Sequence, residues 1–147
     1  MEKVKMVFRL PTSLENLETL SSTIREFIVQ LEIDPAVVYQ LELATCEAFS
    51  NIVRHGVNHD PEQFVEVTLS YGEGGVKIVL SDCGKPIPQA ILRALRGREK
   101  SLPDPDPHQQ ASWPESGIGL QLIFAMMDDV SYFSQKGRNE LIMIKHV

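Results

Sequence analysis

The chain has 147 residues, 43% hydrophobic and 23% charged, which is enough to bury one core and ordinary for a globular domain. A net charge of −6 argues against broad binding to nucleic acid or to an anionic membrane, both of which need clustered Lys and Arg. Cys46 and Cys83 fit neither a zinc spacing nor a disulfide framework, the start "MEKVKMVFRLP" lacks the long apolar h-region of a signal peptide, and no apolar run is long enough for a bilayer span. These features predict one soluble, cytoplasmic domain over residues 1–147.

"KVKMVFRL" alternates Val4, Met6, Phe8 and Leu10 with charged residues, the period of a half-buried strand, and Pro11 closes it. Ser13 then caps a helix in which Leu14, Leu17, Leu20, Ile24, Phe27 and Leu31 recur at helical spacing, leaving Glu15, Glu18, Arg25 and Glu26 outside. Asp34 and Pro35 suit the cap and first residue of a second helix, predicted to run through "VVYQLELATCEAFSNIVRHG" and stop at Gly56. "FVEVTLSY" and "VKIVLSD" flank "GEGG", a hairpin signature. A turn at "DCGKPIP" leads to a short helix over 88–97.

Residues 98–116 hold Pro103, Pro105, Pro107 and Pro114 without periodicity and read as a loop, long enough to be functional or disordered. "SGIGLQLIFAMM" starts another helix. "VSYFSQ" and "ELIMIKHV", joined around Lys136, Gly137, Arg138 and Asn139, form a closing hairpin. The order βαα, ββ, short α, loop, α, ββ predicts an α+β two-layer sandwich, with a mixed, mostly antiparallel sheet and helices on one face.

On the second helix Glu47, Asn51 and His55 lie four residues apart. Four-residue steps advance about 40°, so the three share one narrow face, with Gln40, Ala44 and Arg54 near it. Most of the remaining surface is apolar, and polar groups on a buried helix must find partners. An isolated Glu one turn before an Asn is ordinarily a solvated edge; here the edge has to be both wet and enclosed, like the wall of a pocket. An Asn carbonyl is a hard, neutral ligand suited to Mg²⁺, and a carboxylate one turn away can accept a proton from an attacking hydroxyl. His55 ranks second, since a lone His near a helix end is usually a cap. His55 and His59 have zinc-like spacing, but Gly56 and Asn58 are expected to break the helix between them.

Two glycine turns follow. "LSDCGKP" puts Asp82 and Gly84 directly after a strand, where both residue types also serve plain turns. "ESGIGLQLI" puts Gly117 and Gly119 at a helix start, with Ser116 as cap, where unpaired amides and the helix dipole favour phosphate. The P-loop pattern is absent, as are the catalytic and metal-binding motifs of eukaryotic-type protein kinases.

In combination, "EAFSNIVRHG", "DCGKP" and "SGIGLQLI" resemble, in order, the N box and the two glycine boxes of the GHKL (Bergerat) ATP-binding fold shared by histidine kinases, gyrase and the Hsp90 chaperones. The resemblance spans essentially the whole chain. Within the fold it is greatest to the bacterial anti-sigma factor serine kinases, which "MMDDVSYF" and the C-terminal hairpin also resemble.

It implies that Asn51 coordinates Mg²⁺ bridging the phosphates of ATP and that Glu47 is the base or water-orienting group. It further implies that Asp82 bonds the adenine amino group, Gly84 keeps the backbone clear of the ring, and Gly117, Gly119 and the amides near Leu120 hold phosphates. Residues 98–116 would be the ATP lid, although Pro-Asp repeats stand where a glycine-rich lid is expected, and Lys85 sits inside the first glycine box. The implied partners are a STAS-domain anti-sigma factor antagonist, as phosphoacceptor, and a sigma factor or other regulated protein, with a homodimer as the assembly.

A histidine kinase would need a phosphoacceptor-histidine dimerisation helix, and there is no room for one before the first strand. The leading expectation is an ATP-dependent protein serine/threonine kinase of the anti-sigma type. Its alternatives are a catalytically silent ATP-binding partner-switching module, which would not need Glu47, and an ATPase driving a larger assembly, for which no transducer region is present.

Overall fold

The computed structural model describes residues 2–97 and 116–147. Residues 98–115, which contain all but the last residue of the expected lid, lie outside the described residues. The first strand, β1 (Glu2–Pro11), forms where the alternation of apolar and charged residues predicts it, and it runs through Pro11 rather than stopping before it. A proline is tolerated there because β1 is an edge strand.

β2 (Phe64–Gly72) and β3 (Gly75–Asp82) form the expected hairpin, closed by Glu73 and Gly74. β4 (Asp129–Gln135) and β5 (Arg138–Lys145) form the second. Their turn is only Lys136 and Gly137, both at positive φ (53° and 79°), as a two-residue hairpin turn requires. Arg138 and Asn139, expected in the turn, therefore belong to β5. The sheet order is β1-β2-β3-β5-β4, and all four pairings are antiparallel.

The strand register builds the core face. Phe8, Val67, Leu80 and Leu141 stand in one row across four strands, with Met6, Leu69, Ile78 and Met143 in the next. Lys5, Val7, Arg9 and Lys77 alternate onto the opposite face and are exposed. Helices cover the core face. Ser13 caps a 3-10 turn (Leu14–Asn16) that leads into α1 (Leu17–Val29), and Asp34 caps α2 (Pro35–Asn51) by accepting a bond from the Ala36 amide. α2 packs against both α1 and α4 (Ser116–Met126), while the short α3 (Gln89–Gly97) lies against α4. Leu20, Ile24 and Phe27 of α1, Leu41 and Phe49 of α2 and Ile123 of α4 are fully buried. Burying each such side chain contributes about 1.5–3 kcal/mol.

The α-helical hydrogen bonding of α2 stops at Asn51, short of the predicted Gly56. Residues Ile52–Gly56 continue as a π-helical turn, in which the Val57 amide bonds Ile52 O at 2.9 Å. Asn58 and His59 then take positive φ and end the coil, so His55 and His59 are not on one helix. No helix among the described residues is long and apolar enough to cross a membrane.

Candidate functional site

Polar residues enter the core where α2 crosses α4. Asn51 is buried at 7% exposure, and its Nδ2 is out of contact with solvent and has no hydrogen-bond partner among the described residues. An unpaired buried N–H donor costs about 1–3 kcal/mol, which marks Asn51 as a candidate contact for an acceptor from outside the chain. Gly119 of α4 allows the close crossing: a Cβ there would lie 2.8 Å from Glu47 Oε2 and 3.4 Å from Asn51 Nδ2. The glycine of one predicted motif thus rests directly on the carboxylate and amide of another.

A second cluster closes the end of β3. Asp82 is 7% exposed, and its Oδ2 accepts bonds from the Gly84 amide at 2.8 Å and from Asn139 Nδ2 at 3.3 Å. Burial pushes its carboxyl upward, against the lowering effect of those two donors. Gly84 is required by a backbone contact: a Cβ would lie 2.5 Å from Gly56 O. The next residue ties the same two segments together, since the Lys85 amide donates to Gly56 O at 2.7 Å.

Between the clusters lies a part-enclosed pocket. Ala48, Ile52, Ile87, Leu120 and Leu141 give it apolar walls, and Asn51, Asp82 and Tyr132 reach it as polar groups. Apolar walls with a few convergent polar groups are the common make-up of a small-molecule site. The Tyr132 hydroxyl accepts a bond from the Ile87 amide at 3.0 Å. Burial, ahead of the nearby Asp82 charge, pushes this phenol up to about 12.

The structure thus brings Asn51, Asp82 and Leu120 to one pocket, with Glu47 and Gly119 at its α2–α4 edge and Gly84 on the adjoining turn. Gly117 lies in the first turn of α4, whose leading amides have no partner within the helix. Ser116 is the first residue of that helix rather than its cap. Leu120 is the fifth helical residue, so its place at the pocket is held by its side chain. His55 sits half-buried in the π-helical turn, outside the pocket lining. Lys85 lines the pocket with an exposed side chain.

Sequence reasoning missed Tyr132 and Asn139. The latter stands opposite Asp82 in the β3–β5 register, a signal available only once strand pairing is known. Among the described residues, no group of three or more His, Cys, Asp or Glu side chains is placed to hold a metal. The Asn51 carbonyl oxygen, rather than its orphaned Nδ2 donor, is the candidate ligand for a cation that takes few protein ligands and fills its sphere with water and phosphate.

The profile of the histidine kinase-like ATPase domain matches residues 10–145. The chain is similar to the anti-sigma F factor of Geobacillus stearothermophilus, 24% identical over 131 residues that cover 89% of this chain and 84% of the relative. It is also similar to the serine-protein kinase RsbW of Bacillus mycoides (strain KBAB4), 26% identical over 148 residues, 99% of this chain and 86% of the relative. In fold it is similar to a chain of the SiaB–SiaC complex of Pseudomonas aeruginosa, with a TM-score of 0.64 at 15% identity over 95% of this chain and 88% of that one. The structure of the RsbU and RsbW domains of a Mycobacterium tuberculosis protein gives a TM-score of 0.63 at 15% identity, over 98% of this chain and 32% of that one. The matched stretch begins in β1, ends with the last residue of β5 and contains both glycine turns, the buried Asn51 and Asp82: the chain belongs to the histidine kinase-like ATPase domain family.

Proposed function

We propose that the protein is an ATP-dependent serine/threonine kinase of the anti-sigma type. It would phosphorylate a STAS-domain antagonist and hold a sigma factor, or another regulated protein, when that antagonist is phosphorylated. The supporting observation is the close approach of Gly119 to Glu47 and Asn51, which joins the N-terminal end of α4 to a carboxylate and an unpartnered amide. Relatives named as an anti-sigma factor and as a serine-protein kinase, each aligned over most of its length, support the same reading.

In this reading Asp82 accepts a hydrogen bond from the adenine amino group, and the apolar walls enclose the ring. The first-turn amides of α4, opened by Gly117 and Gly119, donate to the phosphates. Asn51 holds Mg²⁺, which when bound supplies charge neutralisation for phosphoryl transfer. Glu47 takes the proton of the acceptor hydroxyl as its oxygen bonds the γ-phosphorus, while the bond to the β-phosphate oxygen breaks and ADP leaves. Positioning and fixed charge account for most of the rate.

The test is calorimetric titration with a non-hydrolysable ATP analogue, with and without Mg²⁺, followed by transfer from γ-labelled ATP to candidate STAS-domain proteins. Asn51→Ala should weaken Mg-dependent binding by about 10–100-fold. Glu47→Ala should leave binding intact and slow transfer by about 10²–10⁴-fold. Normal transfer by Glu47→Ala removes the base assignment. Tight binding with no transfer by the wild type favours the catalytically silent module. The reading includes a homodimer, which sedimentation velocity would detect as twice the 16.5 kDa chain.

A further inference from the structure

Asn139 is 1% exposed on β5, directly across from Asp82. Its orientation follows from its partners. Gly84 O can only accept, and it lies 2.8 Å from Asn139 Nδ2, so that end of the amide is the nitrogen. The same nitrogen faces Asp82 Oδ2 at 3.3 Å, and the amide oxygen accepts from Ser134 Oγ at 2.7 Å. Asn139 therefore meets Asp82 only as a donor. With the Gly84 amide at 2.8 Å, two donors converge on Oδ2, and no donor reaches Oδ1 among the described residues.

We propose that Asn139 is a positioning residue that makes the pocket prefer a 6-amino purine over a 6-oxo purine. The inference rests on the reading of Asp82 as the base acceptor and adds what keeps it one. Donors gathered on Oδ2 favour the ionised carboxylate and leave Oδ1 as the oxygen for the ligand. An ionised Oδ1 accepts from an exocyclic NH₂ and repels a carbonyl oxygen in the same place. A proton taken up by Asp82 goes to Oδ1, because Oδ2 already faces two N–H groups. The resulting O–H can donate to a 6-oxo group.

Burial drives Asp82 towards proton uptake, and the Asn139 donor opposes it. The surroundings add little that titrates. Tyr132 on β4 is a phenol pushed up to about 12 and neutral at ordinary pH. Of the lining residues, α2 supplies the neutral Ala48 and Asn51, the π-helical turn Ile52 and Gly56, and the loop after β3 the exposed Lys85, while the α2 carboxylate of Glu47 stands at the α4 edge. Base preference is thus set by a side chain that need not touch the base.

The test is binding of ATP and of inosine triphosphate, which replaces the 6-amino group with a 6-oxo group, at mildly acidic and mildly alkaline pH. The wild type should prefer ATP by about 100-fold. Asn139→Leu should cut the ratio about tenfold, mainly through inosine triphosphate affinity that rises as pH falls. Ser134→Ala, at an exposed site that leaves the fold intact, loosens the same amide and should move the ratio the same way by about 2–3-fold. If Asn139→Leu does not fold, Ser134→Ala decides. A ratio that stays at the wild-type value, or an equal loss of both nucleotides, overturns the proposal and leaves Asn139 structural. Failure of the underlying reading looks different: Asp82→Asn would then bind ATP with wild-type affinity and preference.

Discussion

Asp82 is a carboxylate kept where water would serve it better, and the consequence is measurable without nucleotide. Its folded-state value is raised above the ordinary 3.8, with burial as the largest cause. A raised value means that its contribution to stability is fully present below about 3.8 and is lost as pH rises through the folded value. At neutral pH the ionised form is a burden. Asp82→Asn should therefore melt above the wild type at neutral pH, with the gap closing as pH falls towards 3.8. Thermal scans that superimpose at neutral pH would show that no such burden exists. Asp82 was legible because an Asp two residues before a Gly after a strand is a local pattern. Asn139 was not, since it lies 57 residues away and no spacing links the two.

Between elements, glycines set how closely the walls approach. At Gly84 a Cβ would meet Gly56 O at 2.5 Å and Gly56 C at 2.8 Å, both backbone atoms that cannot rotate away. Gly84→Ala should cost about 1–3 kcal/mol in urea unfolding. Gly74→Ala, with nothing within 4 Å of the added carbon, should be nearly neutral and serves as its control. Equal costs would mean that the contact with Gly56 sets nothing. Elements with a clean period were legible: the stripe of α1, the Asp34–Pro35 start of α2 and both hairpins. The end of α2 was not, because Ile52 and Val53 extend the apolar pattern and a period of 3.6 cannot distinguish a π-helical turn from an α-helical one. The β4–β5 turn is two residues shorter than its polar stretch suggests, which hides in the sequence that Asn139 is a strand residue.

Across the whole molecule, the pocket draws its walls from α2, the π-helical turn, β3 and the loop after it, α4, β4 and β5, so a bound ligand ties both layers together. An ATP analogue with Mg²⁺ at 100-fold over its Kd should add about 2.7 kcal/mol, or roughly 5–10 °C in Tm for a chain of this size. Asn51→Ala should lose most of that shift, and a shift indifferent to Mg²⁺ would argue against a cation at Asn51. The two-layer α+β class followed from the order of elements, but the strand order did not, because a closing hairpin can dock on a sheet with either strand inward. Here the later strand goes inside: β5 is inserted between β3 and β4. On the ribosome, β3 is therefore made long before its neighbour and waits with one edge unpaired, a template for wrong pairing, until residues 138–145 emerge. Asp82 and Asn139 meet only when the sheet closes, so a nascent chain has no finished pocket.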